Sequence, residues 1–452
     1  MGMQSQSGGS ATGDVRGRLF GAAFGGFLGL SLLKFGNPPI MQKFVGWPGT
    51  GYEWLLSGWP LTVGYALLVP VCLLGLLAMR WWIPVQKWLV ALPVAWLAWQ
   101  FVSATRTVDA ELTRETLKHF SACVVCYYLG LFALGSGRSL MAFWAGLLGG
   151  FIVVIAAGFD QHFGGLDETR KYFFAYVYPQ MPNVPPEYLK KISSDRVFST
   201  LFYPNALAGV LLLLSPTAVA AIWKVAPRLT TGARVLLVGL IGVASLACLY
   251  WSGSKGGWLL AMVIGLVAMI RGRIKPRWKL ALIALVLACG LAGFAWKYAA
   301  FFQRGATSVS ARFDYWQAAV RTATANPILG TGPGTFAIPY ARIKRPESEM
   351  ARLVHNDYLE QATDSGWPGF AVYLGFIVVA LWEGRPRSRD WSEAVRNAVW
   401  LGCLGWSLQG IMEFGLYVPA LAWTAFALLG WLGGSQSGLP SANQFDTRSS
   451  SG

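Results

Sequence analysis

The stretch STLFYPNALAGVLLLLSPTAVAAI, residues 199–222, is apolar over almost its whole length and carries no charged side chain. A helix needs about 20 predominantly apolar residues to cross the hydrocarbon core of a bilayer. A bilayer interior offers no water to backbone polar groups, and a continuous apolar run meets that constraint as a helix, whose backbone hydrogen bonds are all internal. The stretch therefore predicts a membrane-spanning α-helix.

Runs of this kind recur along the whole chain of 452 residues, of which 54% are hydrophobic and only 13% are charged. A soluble domain carries roughly 25% charged residues, so the composition excludes a soluble enzyme with a single anchor. The sequence predicts an all-α integral membrane protein with about 12 transmembrane helices. The predicted spans are 19–35, 61–79, 85–104, 118–134, 139–159, 199–222, 234–251, 257–270, 279–297, 367–382, 396–411 and 416–433.

Two polar tails flank this membrane domain. Residues 1–18 and 434–452 are rich in glycine, serine and other small or polar residues, which is typical of disordered segments. We therefore predict a polytopic membrane domain at 19–433 between a disordered N-terminus and a disordered C-terminal tail.

Basic residues indicate the orientation of the chain. They concentrate in short loops that alternate along the sequence, for example at 271–279 and 385–396, and such loops mark the cytoplasmic side of a membrane. Both termini are then cytoplasmic, and the two long loops 160–198 and 298–366 face the opposite side. Apolar residues at helical spacing in the second long loop predict short amphipathic helices there.

The net charge of +16 comes from 37 basic and 21 acidic residues. In a protein with many spans this excess indicates topology and contact with the anionic headgroups of the lipid bilayer, and no nucleic-acid-binding motif accompanies it. No acidic pair has the spacing of a metal site, and His119, His162 and His355 lie on different segments. We therefore expect no nucleic-acid partner, no metal and no cofactor.

Three basic residues and one histidine stand out on the side opposite to the cytoplasm. Arg196 precedes the apolar run quoted above, and Lys255 lies at the tip of the turn WSGSKGGW. Arg312 lies at the N-terminal end of an amphipathic helix that rests on the membrane interface. His355 opens the polar stretch HNDYLE, ahead of the next apolar run.

Each of these residues has an ordinary structural interpretation on its own. Arg196 and Lys255 could be snorkelling anchors at helix ends, and Arg312 could belong to a solvated helix face. Their convergence with His355 on one face of a membrane instead indicates an anionic substrate that is embedded in lipid. Arginine suits such a substrate because its planar guanidinium makes two parallel hydrogen bonds to a phosphate.

The glycine-rich stretch GTGPGTF, residues 330–336, looks like the phosphate-binding loop of nucleotide-binding proteins. It lacks the Gly-Lys-Ser/Thr ending and the strand–turn–helix context of such a loop. We therefore predict an ordinary turn at this position.

Taken in order, these motifs resemble those of the O-antigen ligase/polymerase family, multi-spanning bacterial proteins that act on glycans linked to undecaprenyl diphosphate. The resemblance covers about residues 190–370 and extends more loosely to the end of the chain. It rests on the Arg196 segment with Pro204-Asn205, SGSKGGW (252–258), the Arg312/Trp316 helix, GTGPGTF (330–336), HNDYLE (355–360) with GWPG (366–369), KFGNPP (34–39) and EFGLYVPA (413–420).

The resemblance implies an activity and a location. Proteins of this family lie in the bacterial inner membrane and work on its periplasmic face, so the loops 160–198 and 298–366 would be periplasmic. They transfer a glycan from its polyprenyl diphosphate to an acceptor hydroxyl with inversion at the anomeric carbon, and they need neither a nucleotide sugar nor a metal. The donor would be an undecaprenyl-diphosphate-linked glycan, and the acceptor would be lipid A-core or another surface glycan.

The resemblance also implies roles for individual residues. The family's histidine matches His355, and its diphosphate-binding basic residues match Arg196 and Arg312. The family's Ser-Arg-Gly turn reads Ser-Lys-Gly around Lys255, which keeps the positive charge and loses the planar fork of arginine. Lys255 is therefore predicted as a weaker third contact to the diphosphate.

The chemistry of such a transfer agrees with these roles. A leaving diphosphate develops negative charge, which fixed cations stabilise in a poorly hydrated site. The acceptor hydroxyl must lose a proton, and histidine titrates near neutral pH, which makes His355 the candidate general base or the residue that orients the acceptor. The sequence does not rank Asp357, Glu360 and Glu413 as carboxylate partners of His355. The candidate supporting residues are Asn205, Trp316, Asn356, Glu360 and Glu413.

The sequence leaves related functions open. A polymerase of the same family would use another lipid-linked repeat unit as the acceptor, and a protein O-oligosaccharyltransferase would glycosylate proteins. A polysaccharide transporter or flippase would place ionisable residues near the middle of the bilayer. Because the conspicuous charges lie at the outer ends of spans, the sequence favours an enzyme, and first of all a ligase of the O-antigen type.

Overall fold

Every regular element that the structure describes is a helix, which confirms the all-α prediction. The computed structural model describes residues 8–434 apart from 80–84, 135–137, 181–188, 190–192, 226–228, 273–274, 304–306, 347 and 388–392. The predicted C-terminal tail from 435 onward lies outside the described residues. The α-helices are α1 (Gly8–Lys34), α2 (Gly51–Leu56), α3 (Leu61–Ala78), α4 (Lys87–Ala104), α5 (Ala110–Tyr128), α6 (Arg138–Asp160), α7 (Leu166–Tyr172), α8 (Pro204–Val225), α9 (Thr231–Ser252), α10 (Lys255–Arg271), α11 (Pro276–Gln303), α12 (Thr307–Ala325), α13 (Ala337–Ile343), α14 (Asp357–Gly384), α15 (Ala394–Gln409) and α16 (Pro419–Gly434).

Among the described residues, seven helical stretches are long and apolar enough to cross a membrane. They are Leu61–Ala78, Ala110–Ala133, Leu140–Ala175, Pro204–Lys224, Thr231–Ser252, Pro276–Ala299 and Asp357–Gly384. Each predicted span overlaps a helix, and the helices that carry the predicted spans are α1, α3 to α6, α8 to α11 and α14 to α16. The protein is a multi-pass membrane protein, and the count of 12 spans stays a prediction.

Helical structure extends further than the sequence predicts at two places. α1 begins at Gly8, so residues 8–18, for which the sequence predicts disorder, are helical. After α6 the chain continues in helical turns through Gln161–Gly165 into α7, so the predicted loop 160–198 starts inside a helical stretch. This stretch bends at Gly164, whose φ of +131° favours glycine because a Cβ is disfavoured there.

The second predicted loop, 298–366, contains α12, α13 and the glycine-rich turn 330–336 between them. The turn docks onto the first part of α14. The amide of Gly332 donates to the carbonyl of Asp364 at 2.9 Å, and the amide of Gly334 donates to the Asp364 carboxylate at 2.9 Å. The glycines of this turn therefore serve a structural contact between two segments of the chain.

α14 is broken next to this contact, at Ser365 and Gly366. Gly366 has a φ of +70°, and a Cβ on it would lie 2.3 Å from the carbonyl oxygen of Ile328, so only glycine fits. The neighbouring helix α4 supplies polar groups at the break, where Nε2 of Gln100 donates to Oγ of Ser365 at 2.9 Å. These contacts fix the first part of α14, and with it the position of His355 just before the helix.

α16 lies in the centre of the protein, and every one of its residues is buried. The ring of Trp423 on this helix contacts Phe27 of α1 and Phe35 just after α1, whose ring centres lie 5.5 Å and 5.6 Å from its own. Because a close-packed core resists displacement, α16 anchors the connection between α15 and α16. That connection carries Glu413.

Candidate active site

The predicted residues Arg196, Lys255, Arg312 and His355 come together at one end of the helix bundle. Arg196 precedes α8, Lys255 begins α10, and His355 lies just before α14. Arg312 lies within the first two turns of α12. All four therefore lie at helix ends or in connections, where the sequence predicts the charges to be.

Glu413 is the carboxylate at the centre of this group. Its side chain is only 10% exposed. Oε1 of Glu413 accepts a hydrogen bond from Nη2 of Arg312 and another from Nδ2 of Asn205, the latter at 2.6 Å. Oε2 lies 3.3 Å from Nδ1 of His355. Of the carboxylates that the sequence left unranked, Glu413 is thus the one that contacts the histidine ring.

The neighbours of Glu413 favour its ionised form. Burial raises the pKa of this carboxyl, but the hydrogen bond with His355 and the charge of Arg312 outweigh that effect, and the pKa lies below its ordinary value. A buried carboxylate without such partners would be strongly destabilising. The arrangement therefore depends on all of its members being present.

Arg196 lies in the segment before α8, and its side chain contacts the end of α9 and the start of α8. Its Nε donates to the carbonyl of Ser252 at 2.7 Å, and its Nη2 donates to Oδ1 of Asn205 at 2.7 Å. Gly253, with a φ of +61°, closes the turn so tightly that a Cβ there would lie 3.2 Å from Nε of Arg196. Asn205 therefore links Arg196 to Glu413, and two arginines are coupled to one carboxylate.

His355 has an unusual backbone conformation. Its φ of +56° lies in the left-handed region, which residues other than glycine seldom adopt. Its ring lies against Tyr315 and Phe414, with ring centres 5.9 Å and 4.8 Å away. The other described non-glycine residues with positive φ are Ser199 and Phe202, in the segment between Arg196 and α8. A strained backbone such as that of His355 is typical of functional sites.

The predicted supporting residues Asn356 and Glu360 fix the backbone around His355. Asn356 caps α14, because its Oδ1 accepts hydrogen bonds at 3.0 Å from two amides of the first turn. Glu360 accepts a hydrogen bond from the amide of the residue before His355. Asp357 accepts one at 3.0 Å from an amide in the connection between α15 and α16. These three side chains hold the histidine against the connection that carries Glu413.

Trp316, another predicted supporting residue, lies one turn after Arg312 on α12. Its ring contacts Phe313 edge to face, with centres 5.6 Å apart, and it packs against a hydrophobic cluster that includes Tyr315 and Tyr340. Its Nε1 is buried and has no hydrogen-bond partner among the described residues. Trp316 thus stabilises the position of α12, and with it that of Arg312.

Lys255 lies at the rim of the arginine pair. Its Nζ is 5.2 Å from the centre of the Tyr298 ring on α11. Partial burial and the charges of Arg196 and Arg312 lower the pKa of Lys255 to about 8. Its positive charge therefore depends on pH in the mildly alkaline range.

Lys297, which the sequence does not predict as a site residue, reaches the same cluster from the last third of α11. Its Nζ lies 3.1 Å from the centre of the Tyr250 ring, and the charges of Arg196 and Lys255 act on it. Lys297 is the last residue of the predicted span 279–297, where a lysine looks like an ordinary snorkelling anchor. Only the packing of α11 against α10 and the contact of Lys297 with Tyr250 of α9 distinguish it from such an anchor.

The other two histidines make separate contacts. His119 is buried in α5, and its Nε2 lies 2.8 Å from the carbonyl oxygen of Leu416. His162 stacks on Trp251, with ring centres 3.8 Å apart. In the part of the chain that the structure describes, no group of three or more His, Cys, Asp or Glu side chains could hold a metal ion.

In a comparison with known protein families, residues 240–374 match the model of the O-antigen ligase family. This match confirms the family that the motifs predict. The matched range contains Lys255, Arg312 and His355 and excludes Arg196 and Glu413. A search among proteins of curated function found no match.

Proposed function

Residues 240–374 belong to the O-antigen ligase family, and from this premise we propose that the protein transfers a glycan from undecaprenyl diphosphate to an acceptor hydroxyl. The acceptor is lipid A-core or another surface glycan. The reaction takes place on the periplasmic face of the bacterial inner membrane, inverts the anomeric carbon and uses neither a metal nor a cofactor.

One observation carries this proposal: the buried carboxylate of Glu413 contacts Arg312, His355 and Asn205 at one end of the bundle, and Asn205 in turn binds Arg196. Fixed cations of this kind stabilise the charge that develops on a leaving diphosphate. Arginine is suited to phosphate because of its planar fork of donors. The site therefore matches a reaction in which a lipid-linked diphosphate departs.

In the proposed mechanism, His355 takes the proton of the acceptor hydroxyl. If Nδ1–H donates to Oε2 of Glu413, Nε2 carries the lone pair that accepts this proton. The ionised Glu413 then stabilises the imidazolium that forms, as the carboxylate of a catalytic triad does. The deprotonated oxygen attacks the anomeric carbon, the bond from that carbon to the phosphate oxygen breaks, and Arg196 and Arg312 stabilise the released diphosphate.

The positions of the charges also support an enzyme more than a transporter. A transporter places ionisable groups near the bilayer midplane, in interrupted helices. Here the charged side chains of the site lie at helix ends and in the connections between helices. With both termini cytoplasmic and about 12 spans, that end of the bundle faces the periplasm.

The test is glycan transfer by the purified protein in lipid nanodiscs, with an undecaprenyl-diphosphate oligosaccharide, with a chelator and without nucleotide sugar. One reaction contains lipid A-core, and the other contains only more donor. We expect glycan on lipid A-core and none in reactions with the Arg196→Ala variant. Lengthened lipid-linked chains would identify a polymerase, and well-folded protein without product in either reaction would contradict the proposal.

Lys255 makes the reaction sensitive to alkaline pH. Because Lys255 loses its charge as pH rises through its pKa of about 8, we expect kcat/KM for the donor to fall over the same range. This ratio reports the ionisation of the free enzyme. In the Lys255→Arg variant the cation persists, so the decline should move to higher pH. A matched control is Lys118→Arg, at an exposed position on α5. Identical pH profiles of kcat/KM for the wild type and Lys255→Arg would contradict the assignment of this pH dependence to Lys255.

A further inference from the structure

Two lysines and two tyrosines interlock beside the arginines of the site. Lys255 begins α10 and faces the ring of Tyr298 on α11, at 5.2 Å from its centre. Lys297 precedes Tyr298 and faces the ring of Tyr250 on α9, at 3.1 Å, and it also donates to the carbonyl of Tyr250. Each ammonium group is thus held by an aromatic ring of a neighbouring helix. The two lysines are thus fixed as a pair by ring contacts that join three helices.

This pair adds to a cluster of cations. The charges of Arg196 and Arg312 act on Lys255, and those of Arg196 and Lys255 act on Lys297. Glu413 is the carboxylate of this cluster, and it already contacts Arg312 and His355. Among the described residues, Lys297 forms no ion pair with an acid. Like charges held close together in a partly desolvated place are unfavourable unless an anion joins them.

Unused hydrogen-bond donors lie in the same place. The hydroxyl of Tyr298 and Nε of Arg312 are both buried and lack a hydrogen-bond partner among the described residues. Buried polar groups are normally satisfied, so an orphan donor needs an explanation. An anionic ligand that accepts hydrogen bonds explains both donors and the excess of positive charge.

We propose that Lys297 is a fourth phosphate-binding residue, and that Lys297 and Lys255 hold the lipid-side phosphate of the donor. Arg196 and Arg312 then hold the sugar-side phosphate next to His355. This assignment rests on the proposed function and gives the donor a direction in the site.

The direction follows from the surroundings of the two pairs. Arg312 shares Glu413 with His355, so its phosphate lies beside the reacting carbon. Lys297 lies in the last third of α11, and in the most apolar 18-residue stretch of that helix no residue is buried. The adjacent Trp296 is 82% exposed. A polyprenyl chain that leaves the lysine pair along α11 therefore stays in contact with hydrocarbon.

The test compares binding of undecaprenyl diphosphate and undecaprenyl monophosphate to the protein in nanodiscs. The monophosphate retains only the phosphate that is attached to the lipid. We expect the Lys297→Met variant to bind both lipids about 10-fold more weakly, as the loss of one charge-assisted contact implies. The Arg312→Gln variant should weaken binding of the diphosphate and leave binding of the monophosphate nearly unchanged.

A matched control is Lys279→Met, near the other end of the same helix, where Nζ donates to the carbonyl of Ile270 at 3.0 Å. It should bind both lipids as the wild type does. In transfer assays Lys297→Met should raise KM for the donor and change kcat little, and Lys297→Arg should restore KM, a pattern that a folding defect does not produce.

The outcomes separate this inference from the proposed function. Unchanged binding of both lipids by Lys297→Met, or a loss confined to the diphosphate, would overturn the assignment of the lysine pair. If the wild type binds both lipids, Lys297→Met weakens both and no acceptor is ever glycosylated, the lysine pair stands and the transferase proposal fails. A wild type that binds neither lipid would overturn both.

Discussion

The His355→Asn variant should transfer glycan about 1,000-fold more slowly than the wild type, because a general base contributes a factor of this order to a proton-transfer step. Asparagine cannot accept the proton of the acceptor hydroxyl at neutral pH. It tolerates the left-handed backbone that His355 adopts, with its φ of +56°, better than other residues do. The loss should therefore come from chemistry and not from a misfolded loop.

The measurement is the single-turnover rate with saturating donor and lipid A-core in nanodiscs. Because the cations that hold the diphosphate are untouched, donor affinity should stay within about threefold of the wild type. The control is His162→Asn, at the histidine that stacks on Trp251, which should transfer glycan at the wild-type rate. A His355→Asn rate near that of the wild type would show that His355 neither takes the proton nor orients the acceptor.

The Glu413→Gln variant should lose about 100-fold in the transfer rate, since a displacement of catalytic groups by about 1 Å costs a factor of this order. Glutamine still accepts a hydrogen bond from Asn205. It no longer neutralises Arg312, and its neutral amide cannot stabilise a protonated His355. Both the diphosphate site and the base should therefore be displaced together.

The same variant should also be less stable at neutral pH, because Arg312 loses its charged partner in a partly buried place. The pKa of Glu413 lies below its ordinary value in the folded protein. Its stabilising contribution is therefore present above the pKa of an unfolded glutamate and disappears as pH falls through the lower folded value. Wild type and variant should unfold at clearly different temperatures near pH 7 and at similar temperatures in strong acid.

Thermal unfolding in nanodiscs across this pH range measures the difference, and transfer rates are compared at pH 7. Glu111→Gln, at an exposed acid in the first turn of α5, is the matched control and should change neither quantity. If Glu413→Gln retained the wild-type rate, another group would have to orient His355. If the difference in unfolding temperature persisted in acid, the carboxylate charge would not be its source.

The sequence by itself determined the class of the fold. Apolar runs such as 199–222 must become helices, because a bilayer offers no other partner for backbone polar groups. The runs also located the helices, since each predicted span overlaps one of them. The argument from backbone hydrogen bonding applies only to segments inside the hydrocarbon of the bilayer. It therefore did not predict the helical turns at 8–18 and after residue 160.

The sequence also indicated which residue types could handle a phosphate and a proton. Arg196, Arg312 and His355 stand out because an ionisable side chain next to an apolar run raises the free energy of the folded protein unless another group pairs with it. The structure brings these side chains to one end of the bundle together with Lys255.

Only the tertiary structure selected Glu413 over Asp357 and Glu360, and only it added Lys297 to the cluster. Asp357 and Glu360 are much nearer to His355 in sequence than Glu413 is, yet both bind backbone amides. Glu413 reaches the histidine because the buried helix α16 fixes the connection in which it lies. Contacts between distant segments depend on how helices pack, and packing is set by the shapes of side chains on several helices at once. No pattern along a single stretch of sequence contains that information.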